Sequence, residues 1–166
     1  MKLPGYRAGA ALGAAACAAL LGYGFWLQYM DGQEPCPLCL IQRGFYMAVM
    51  AVMVVAALHG PQRIGGIVYA ALAVLFAAGG IAIAGRQVWL QHLPADKVPQ
   101  CGPDLYFMLD NLPLARTIEK LIQGSGECAE VKWRFLGFSI AEWSLACFIL
   151  LALYAIALTR LRRARG

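Results

Sequence analysis

The sequence predicts an all-α membrane protein, a four-transmembrane-helix bundle with a long outer loop that carries a short amphipathic helix. The first observation is composition, because 61% of the 166 residues are hydrophobic and only 14% are charged. A soluble domain carries roughly 25% charged residues. The second observation is that the apolar residues fall into four blocks. The third is that the basic residues gather at the two termini and in one short turn.

Crossing the hydrocarbon layer of a bilayer takes about 20 helical residues, and each apolar block is long enough. The second block has Arg43 as its one charge, and the fourth has Glu142. We predict one integral membrane domain over residues 1–166, with no separate soluble domain. The predicted spans are 8–27, 38–58, 64–85 and 137–158, and the predicted outer loops are 28–37 and 86–134.

The net charge of +5 is concentrated on one predicted face of the membrane. Lys2 and Arg7 precede the first span, Arg63 lies in the short turn between the second and third spans, and four arginines follow the last span. The 86–134 loop balances six basic with six acidic residues. This is the positive-inside pattern, so we expect both termini in the cytoplasm. A basic surface for nucleic acid is not indicated.

The first block has an alternative interpretation as a cleaved signal peptide, because it begins with basic residues and is rich in alanine. However, the apolar run continues past Cys17 to Leu27, which is longer than a signal core needs. Removing it would also spoil the charge pattern. We therefore predict a span that remains in the protein.

A Cys-x-x-Cys motif lies where the first outer loop meets the second span. Cys36 and Cys39 can close a small, easily reduced disulfide, which is typical of a redox site. Pro37 suits the first turn of a helix, and the helix dipole at that end favours a thiolate. Arg43 follows Cys39 by one helical turn, and its permanent charge would also favour the thiolate.

The other cysteines divide by position. Cys101 and Cys128 lie in the long loop, on the same predicted face as the motif, whereas Cys17 and Cys147 lie within spans and are predicted to be apolar fillers. In a bacterial plasma membrane the outer face is the oxidising periplasm. The simplest resting state pairs Cys36 with Cys39, and Cys101 with Cys128, among three possible pairings.

The segment between the two loop cysteines has its own pattern. Apolar residues recur at helical spacing over 105–112 and 114–122, so at least one amphipathic helix is expected on the membrane surface. Ser125 between two glycines predicts a flexible hinge before Cys128. At the end of the third span, Arg86 is predicted to anchor at the interface, and His92 is either a proton shuttle or a surface residue.

Three other interpretations of the cysteines were weighed. Zinc can use four thiolates, but the loop cysteines form no second Cys-x-x-Cys, and we predict no metal site. Covalent haem needs a histidine after Cys39, where Leu40 stands. A purely structural four-span protein could use Cys101 and Cys128 as a disulfide staple. It would leave the motif at the membrane boundary and Arg43 unexplained.

The ordered combination resembles the DsbB family of disulfide-bond formation proteins, over nearly the whole chain. It consists of four spans, Cys-Pro-Leu-Cys followed by Arg43, and a cysteine pair in the long outer loop. Further matching stretches are Trp89-Leu90-Gln91, Ser125-Gly126-Glu127-Cys128-Ala129-Glu130 and Trp133-Arg134-Phe135-Leu136-Gly137. Gln42 departs from the pattern, because some members have an acid there. The rival vitamin K epoxide reductase-like family places its motif late in the chain.

The resemblance implies an inner-membrane protein-disulfide oxidoreductase that reoxidises a DsbA-like periplasmic thiol oxidase. Reduced DsbA would attack at Cys101, Cys128 would exchange with Cys36, and Cys39 would be released as a thiolate. The electrons would pass to membrane quinone, with ubiquinone expected and menaquinone as the alternative. Cys39 and Arg43 are the expected quinone-binding residues. For Arg43 alone, an alternative is that its side chain only reaches for the outer interface.

Overall fold

The computed structural model describes residues 5–30, 32, 35–61, 63–98, 113, 116, 124, 126–131 and 133–163. Within these ranges, four long helices carry most of the chain. They are α1 (Tyr6–Met30), α2 (Pro37–His59), α3 (Arg63–Gln91) and α5 (Ile140–Arg163). The shorter elements are a 3-10 turn (Ala95–Lys97), α4 (Gly126–Ala129), and the antiparallel strands β1 (Arg134–Phe135) and β2 (Phe138–Ser139).

All four long helices are long and apolar enough to cross a membrane. This confirms the predicted four-helix membrane bundle. The helices extend beyond the first three predicted spans at both ends, because polar residues such as Gln28 and Gln87 continue the helical backbone past the apolar blocks. The predicted amphipathic segments at 105–112 and 114–122 lie outside the described residues.

The helices pack in the order α1, α2, α3, α5, and α5 also contacts α1. Three of these helices approach each other closely around Phe148. A Cβ atom at Gly80 on α3 would overlap the Phe148 ring on α5. Phe148 stacks on Tyr46 of α2, with ring centroids 4.0 Å apart. Cys17 lies fully buried in this core and Cys147 packs against it, which is the environment expected of apolar fillers.

At one end of the bundle, Arg7 of α1 caps the last turn of α2. Its Nε atom donates to the Ala57 carbonyl at 2.9 Å, and its Nη2 atom donates to the Leu58 carbonyl at 3.3 Å. A cation is favourable there because the last carbonyls of a helix carry partial negative charge. Gly60 ends α2 in the left-handed conformation with φ +56°. The start of α1 and the end of α2 therefore share one end of the bundle. The C-terminal part of α5 reaches the same end, because Tyr154 donates to the Gly9 carbonyl at 2.7 Å.

At the opposite end, α5 begins at Ile140 rather than at residue 137 as predicted. The backbone N–H of Ser139 donates to Glu142 Oε2 at 2.7 Å, and that of Glu142 donates to Ser139 Oγ at 3.3 Å. This reciprocal capping box fixes the start of the helix. Glu142 thus lies in the first turn of α5, and the preceding residues form the β1–β2 hairpin, whose turn holds Leu136 and Gly137 at positive φ.

Aromatic side chains surround this second end. Tyr23 of α1 contacts the ring of Trp133 at a centroid distance of 6.2 Å, and Trp133 stacks on Phe135 of the hairpin at 5.9 Å. Trp143 of α5 donates from Nε1 to the Phe135 carbonyl at 3.1 Å. Such amphipathic aromatics are typical of the membrane–water interface. They join α1, the hairpin and α5 at the level of the cysteine site.

Candidate redox site

Three sulfurs meet at the end of the bundle opposite Arg7. Cys36 is the N-cap residue of α2, with extended backbone angles of φ −66° and ψ 162°, and Cys39 lies in the first turn. The Cys36 thiol donates to Cys39 Sγ at 3.1 Å, and it is also hydrogen-bonded to Cys128 of α4. Cys36 therefore lies between the other two sulfurs. Of the four predicted catalytic cysteines, the structure brings these three together, and Cys101 lies outside the described residues.

The protonation of Cys36 follows from this position. Its hydrogen bonds to the Cys128 and Cys39 sulfurs, followed by its burial, raise the pKa of the Cys36 thiol well above its usual range. A thiol that donates to a neighbouring sulfur must keep its proton, and an apolar surrounding disfavours its charged form. Cys36 is therefore a protonated donor at neutral pH when the sulfurs are reduced.

An apolar lid covers the sulfurs. Leu38, Leu90 and Cys128 have no exposed surface, and Cys36 packs with them. Gly124 is buried against the two leucines with φ +77°, and a Cβ atom there would lie 2.6 Å from Leu90 Cδ1. The sequence predicted a flexible hinge next to Cys128. Gly124, at the start of that predicted hinge, is packed, because only a residue without a side chain fits over Leu90 in this conformation. Ser125 lies outside the described residues.

Two buried amides lie at this site, of which Gln87 contacts the sulfurs directly and Gln42 contacts Gln87. The sequence analysis did not assign either of them a role. The Nε2 atom of Gln87 on α3 lies 3.4 Å from Cys36 Sγ and 3.3 Å from Cys39 Sγ. Gln42 on α2 donates from Nε2 to Gln87 Oε1 at 2.7 Å. Each glutamine is 4% exposed. The available signal for Gln42 was that it is a polar residue within a predicted span, where such residues are functional candidates. Gln87 gave no such signal, because it lay in the predicted outer loop 86–134 and only the structure extends α3 over it.

Arg43 makes its hydrogen bonds to α1. Its Nη1 atom donates to Gln28 Oε1 at 2.5 Å and its Nη2 atom donates to the Gly24 carbonyl at 2.9 Å, while the guanidinium carbon lies 4.8 Å from the centre of the Phe25 ring. The helical spacing from Cys39 is as predicted. The guanidinium is nevertheless held by the C-terminal end of α1, where a Cβ atom at Gly24 would make ordinary contact with it at 3.7 Å.

Two further residues singled out from the sequence lie near this end. The Arg86 guanidinium lies over the Trp89 ring, 4.4 Å from its centre, which suits an interface anchor. His92 is exposed and its Nδ1 atom lies 2.9 Å from the Val88 carbonyl oxygen, within its own helix end. Among the residues that the structure describes, no group of three or more His, Cys, Asp or Glu could hold a metal ion.

Comparison with known proteins assigns the family. The family model described as "Disulfide bond formation protein DsbB" matches residues 6–158. The chain belongs to the DsbB family. This confirms the family resemblance predicted from the sequence. Together with the four apolar helices, it makes the chain a multi-pass membrane protein of a disulfide oxidoreductase family.

Curated relatives in the DsbB family cover most of the chain. A disulfide bond formation protein B from Nitrosococcus oceani is 49% identical over 145 residues, which is 87% of this chain and 86% of the relative. The protein of the same name from Methylococcus capsulatus is 45% identical over 156 residues, 94% of this chain and 95% of the relative. That from Chromobacterium violaceum is 45% identical over 160 residues, 96% of each chain.

Proposed function

We propose that this protein is an inner-membrane thiol oxidase. It reoxidises a DsbA-like periplasmic dithiol oxidase and passes the electrons through two cysteine pairs to membrane quinone. The observation that carries the proposal is the position of Cys36 between Cys128 and Cys39. A sulfur that contacts both neighbours can exchange a disulfide bond from one to the other, because exchange proceeds through attack of one sulfur on a second with release of a third.

The first exchanges take electrons from the partner. A thiolate of the reduced partner attacks Cys101, which breaks the Cys101–Cys128 bond and releases Cys128 as a thiolate. The second thiolate of the partner then attacks the mixed disulfide, which releases Cys101 and leaves the partner oxidised. One disulfide has been made in the partner and one has been reduced in this chain, so two electrons have moved.

The next exchanges move the electron pair to the membrane edge. The Cys128 thiolate attacks Cys36, which breaks the Cys36–Cys39 bond and releases Cys39 as a thiolate. Cys101 then attacks Cys128, restores their disulfide and frees Cys36. The electron pair now resides on Cys36 and Cys39. The contact between Cys36 and Cys128 is the one that this transfer requires, and α4 holds it under the Leu38–Leu90 lid.

The surroundings of Cys39 fit a quinone from the bilayer. Cys39 is partly exposed, and the partly buried side chains of Ile41 and Ile83 pack against the same buried cluster, so an apolar ring has side chains to contact there. Arg43 offers guanidinium N–H groups beyond the two that bind α1, and these can donate to a quinone oxygen. When bound, ubiquinone, or menaquinone as the alternative, supplies the acceptor for two electrons and two protons.

The orientation in the membrane completes the proposal. Arg7 at the start of α1 lies at one end of the bundle, with the end of α2 and the end of α5. The three sulfurs lie at the other end. With the basic end in the cytoplasm, as positive charge favours, the sulfurs face the periplasm. That compartment is oxidising and contains the partner's dithiol.

Single substitutions test the proposal in a coupled assay of partner oxidation and quinone reduction. Cys36→Ser, Cys39→Ser, Cys101→Ser and Cys128→Ser are each expected to abolish turnover, because each breaks one exchange. Cys17→Ala and Cys147→Ala serve as matched controls and should retain activity, since both lie in the apolar core. Cys128→Ser should trap a mixed disulfide between Cys101 and the partner. Full activity of Cys101→Ser or Cys128→Ser would instead support a quinone reductase in which the loop cysteines have only a structural role.

A further inference from the structure

We propose that Gln87 is a catalytic residue that stabilises the Cys39 thiolate, and that Gln42 is a positioning residue that fixes the orientation of the Gln87 amide. This deepens the thiol oxidase function and rests on it for its role in turnover. Both glutamines are buried, on two different helices that converge on the Cys-x-x-Cys motif.

The Gln87 amide bridges the two sulfurs. Its Nε2 group lies 3.4 Å from Cys36 Sγ and 3.3 Å from Cys39 Sγ, which are hydrogen-bond distances for a sulfur acceptor. An N–H group that points at a developing anion stabilises it without having to reorient during the reaction. Since Cys39 is the sulfur released when Cys36 is attacked, Gln87 is placed to bind the leaving group.

The same amide also accommodates the protonated form of Cys39. The Cys39 thiol lies 3.7 Å from Gln87 Oε1 and can donate to it, whereas the thiolate accepts from Nε2 at 3.3 Å. Gln87 therefore presents a partner to Cys39 in either protonation state. A neutral amide does this without adding a second charge to a buried site at the membrane edge, where an ionised side chain would be costly to desolvate.

Gln42 decides which end of the Gln87 amide faces the sulfurs. Its Nε2 group donates to Gln87 Oε1 at 2.7 Å, so that oxygen is directed toward Gln42 and the Nε2 group is directed toward Cys36 and Cys39. Without this contact the amide could rotate and present its oxygen to the thiolate, which would be repulsive. Gln42 lies one turn after Cys39 on the same helix, so both partners of Gln87 are held by α2.

The test follows alkylation of Cys39 in the reduced, full-length protein in detergent, resolved from the other cysteines by peptide mass spectrometry. In Gln87→Leu, the pH of half-maximal alkylation rate should rise by about one unit, the size expected for the loss of a hydrogen bond to a charged acceptor. At pH values below both midpoints, Cys39 in Gln87→Leu should be alkylated about tenfold more slowly than Cys39 in the unmodified protein. The equilibrium with a dithiol buffer should move toward the Cys36–Cys39 disulfide, since the reduced form loses stabilisation.

Gln42 is tested by a double-mutant cycle. Gln42→Leu should raise the same pH midpoint by a smaller amount. In the Gln87→Leu background it should have no further effect, because it acts only through Gln87. Gln91→Leu is the matched control, since Gln91 lies one turn further on α3 and accepts from Ser139 Oγ at 2.7 Å without touching a sulfur. It should leave the midpoint unchanged.

An unchanged midpoint in a folded Gln87→Leu protein would overturn the role of Gln87, and full additivity of the two substitutions would overturn that of Gln42. If Gln87→Leu does not fold, Gln87→Asn, which keeps the amide but withdraws it by one methylene, must show the raised midpoint in its place. The measurement uses neither quinone nor partner protein. A failure of the thiol oxidase proposal in the coupled assay is therefore distinguishable from a failure here.

Discussion

Arg43 of α2 donates a hydrogen bond to the side chain of Gln28 on α1 at 2.5 Å, and a second one to the Gly24 carbonyl at 2.9 Å. The charge that the sequence places one turn after Cys39 is therefore fixed by the neighbouring helix. This arrangement holds the planar guanidinium in one orientation near the end of the bundle that carries the sulfurs. It separates the proposed role of Arg43, hydrogen bonding to quinone, from that of Gln87, which contacts the sulfurs.

Arg43→Ala should raise the apparent quinone KM about tenfold, because a hydrogen bond to a charged donor contributes about 1.5–3 kcal/mol. The rate of mixed-disulfide formation with the partner should remain near that of the unmodified protein, since we propose that this contact is made at Cys101. Arg43→Lys should recover part of the loss, as charge remains but the planar donor group does not. Steady-state kinetics with varied quinone measure both effects.

Arg86→Ala is the matched control for this arginine, because Arg86 stacks on Trp89 at the same interface. Its quinone KM should be unchanged. Unaltered quinone kinetics in Arg43→Ala would show that Arg43 does not bind quinone and serves only as an interface anchor between α1 and α2.

The hydrogen bond from Cys36 to Cys128 should be visible in a pH profile. It is the first cause of the raised pKa of Cys36, so Cys128→Ala should lower that pKa toward the ordinary thiol range. Alkylation of Cys36 in the reduced protein should then begin at a lower pH than in the unmodified protein. Cys147→Ala, which removes a cysteine from the core cluster, should leave the Cys36 profile as it is. A Cys36 profile insensitive to Cys128 would show that the two sulfurs do not share a proton.

Gly124→Ala should loosen the lid over the sulfurs. A residue with a side chain at φ +77° costs about 1–2 kcal/mol, and the added Cβ would also press on Leu90. Labelling of Cys128 by a maleimide should therefore become faster, and thermal stability in detergent should fall. Gly22→Ala is the control, because a Cβ atom there meets no neighbour within 4 Å. Equal Cys128 labelling in the two variants would show that Gly124 does not hold the lid.

Reporter fusions test the orientation of the bundle. A fusion at residue 166 should report the cytoplasm, and one within 110–125 should report the periplasm, because Arg7 and the C-terminal part of α5 belong to the end without the three sulfurs. Insertion in the opposite sense would place both cysteine pairs in a reducing compartment. The same side for both fusions would contradict a bundle with four spans.

The membrane bundle and the motif could be predicted because both are local patterns. An apolar block and a Cys-x-x-Cys pair are visible in consecutive residues, and Arg43 follows at a fixed helical spacing. The contacts of Gln87 with the two sulfurs could not be predicted in this way, because they join residues 51 and 48 positions apart on different helices. The capping box of Glu142, however, could have been predicted from the sequence. Ser139 three residues before it was the signal that α5 begins after the hairpin.

The complete burial of Cys128 has a consequence for its unwanted reaction with small thiols. A small thiol dissolved in the surrounding water, such as glutathione, cannot reach a sulfur that has no exposed surface unless α4 first moves away from Leu38 and Leu90. The contact between Cys128 and Cys36 is thereby insulated from competing reductants on the same side of the membrane. Small thiols could therefore compete at Cys128 only as fast as that short helix opens.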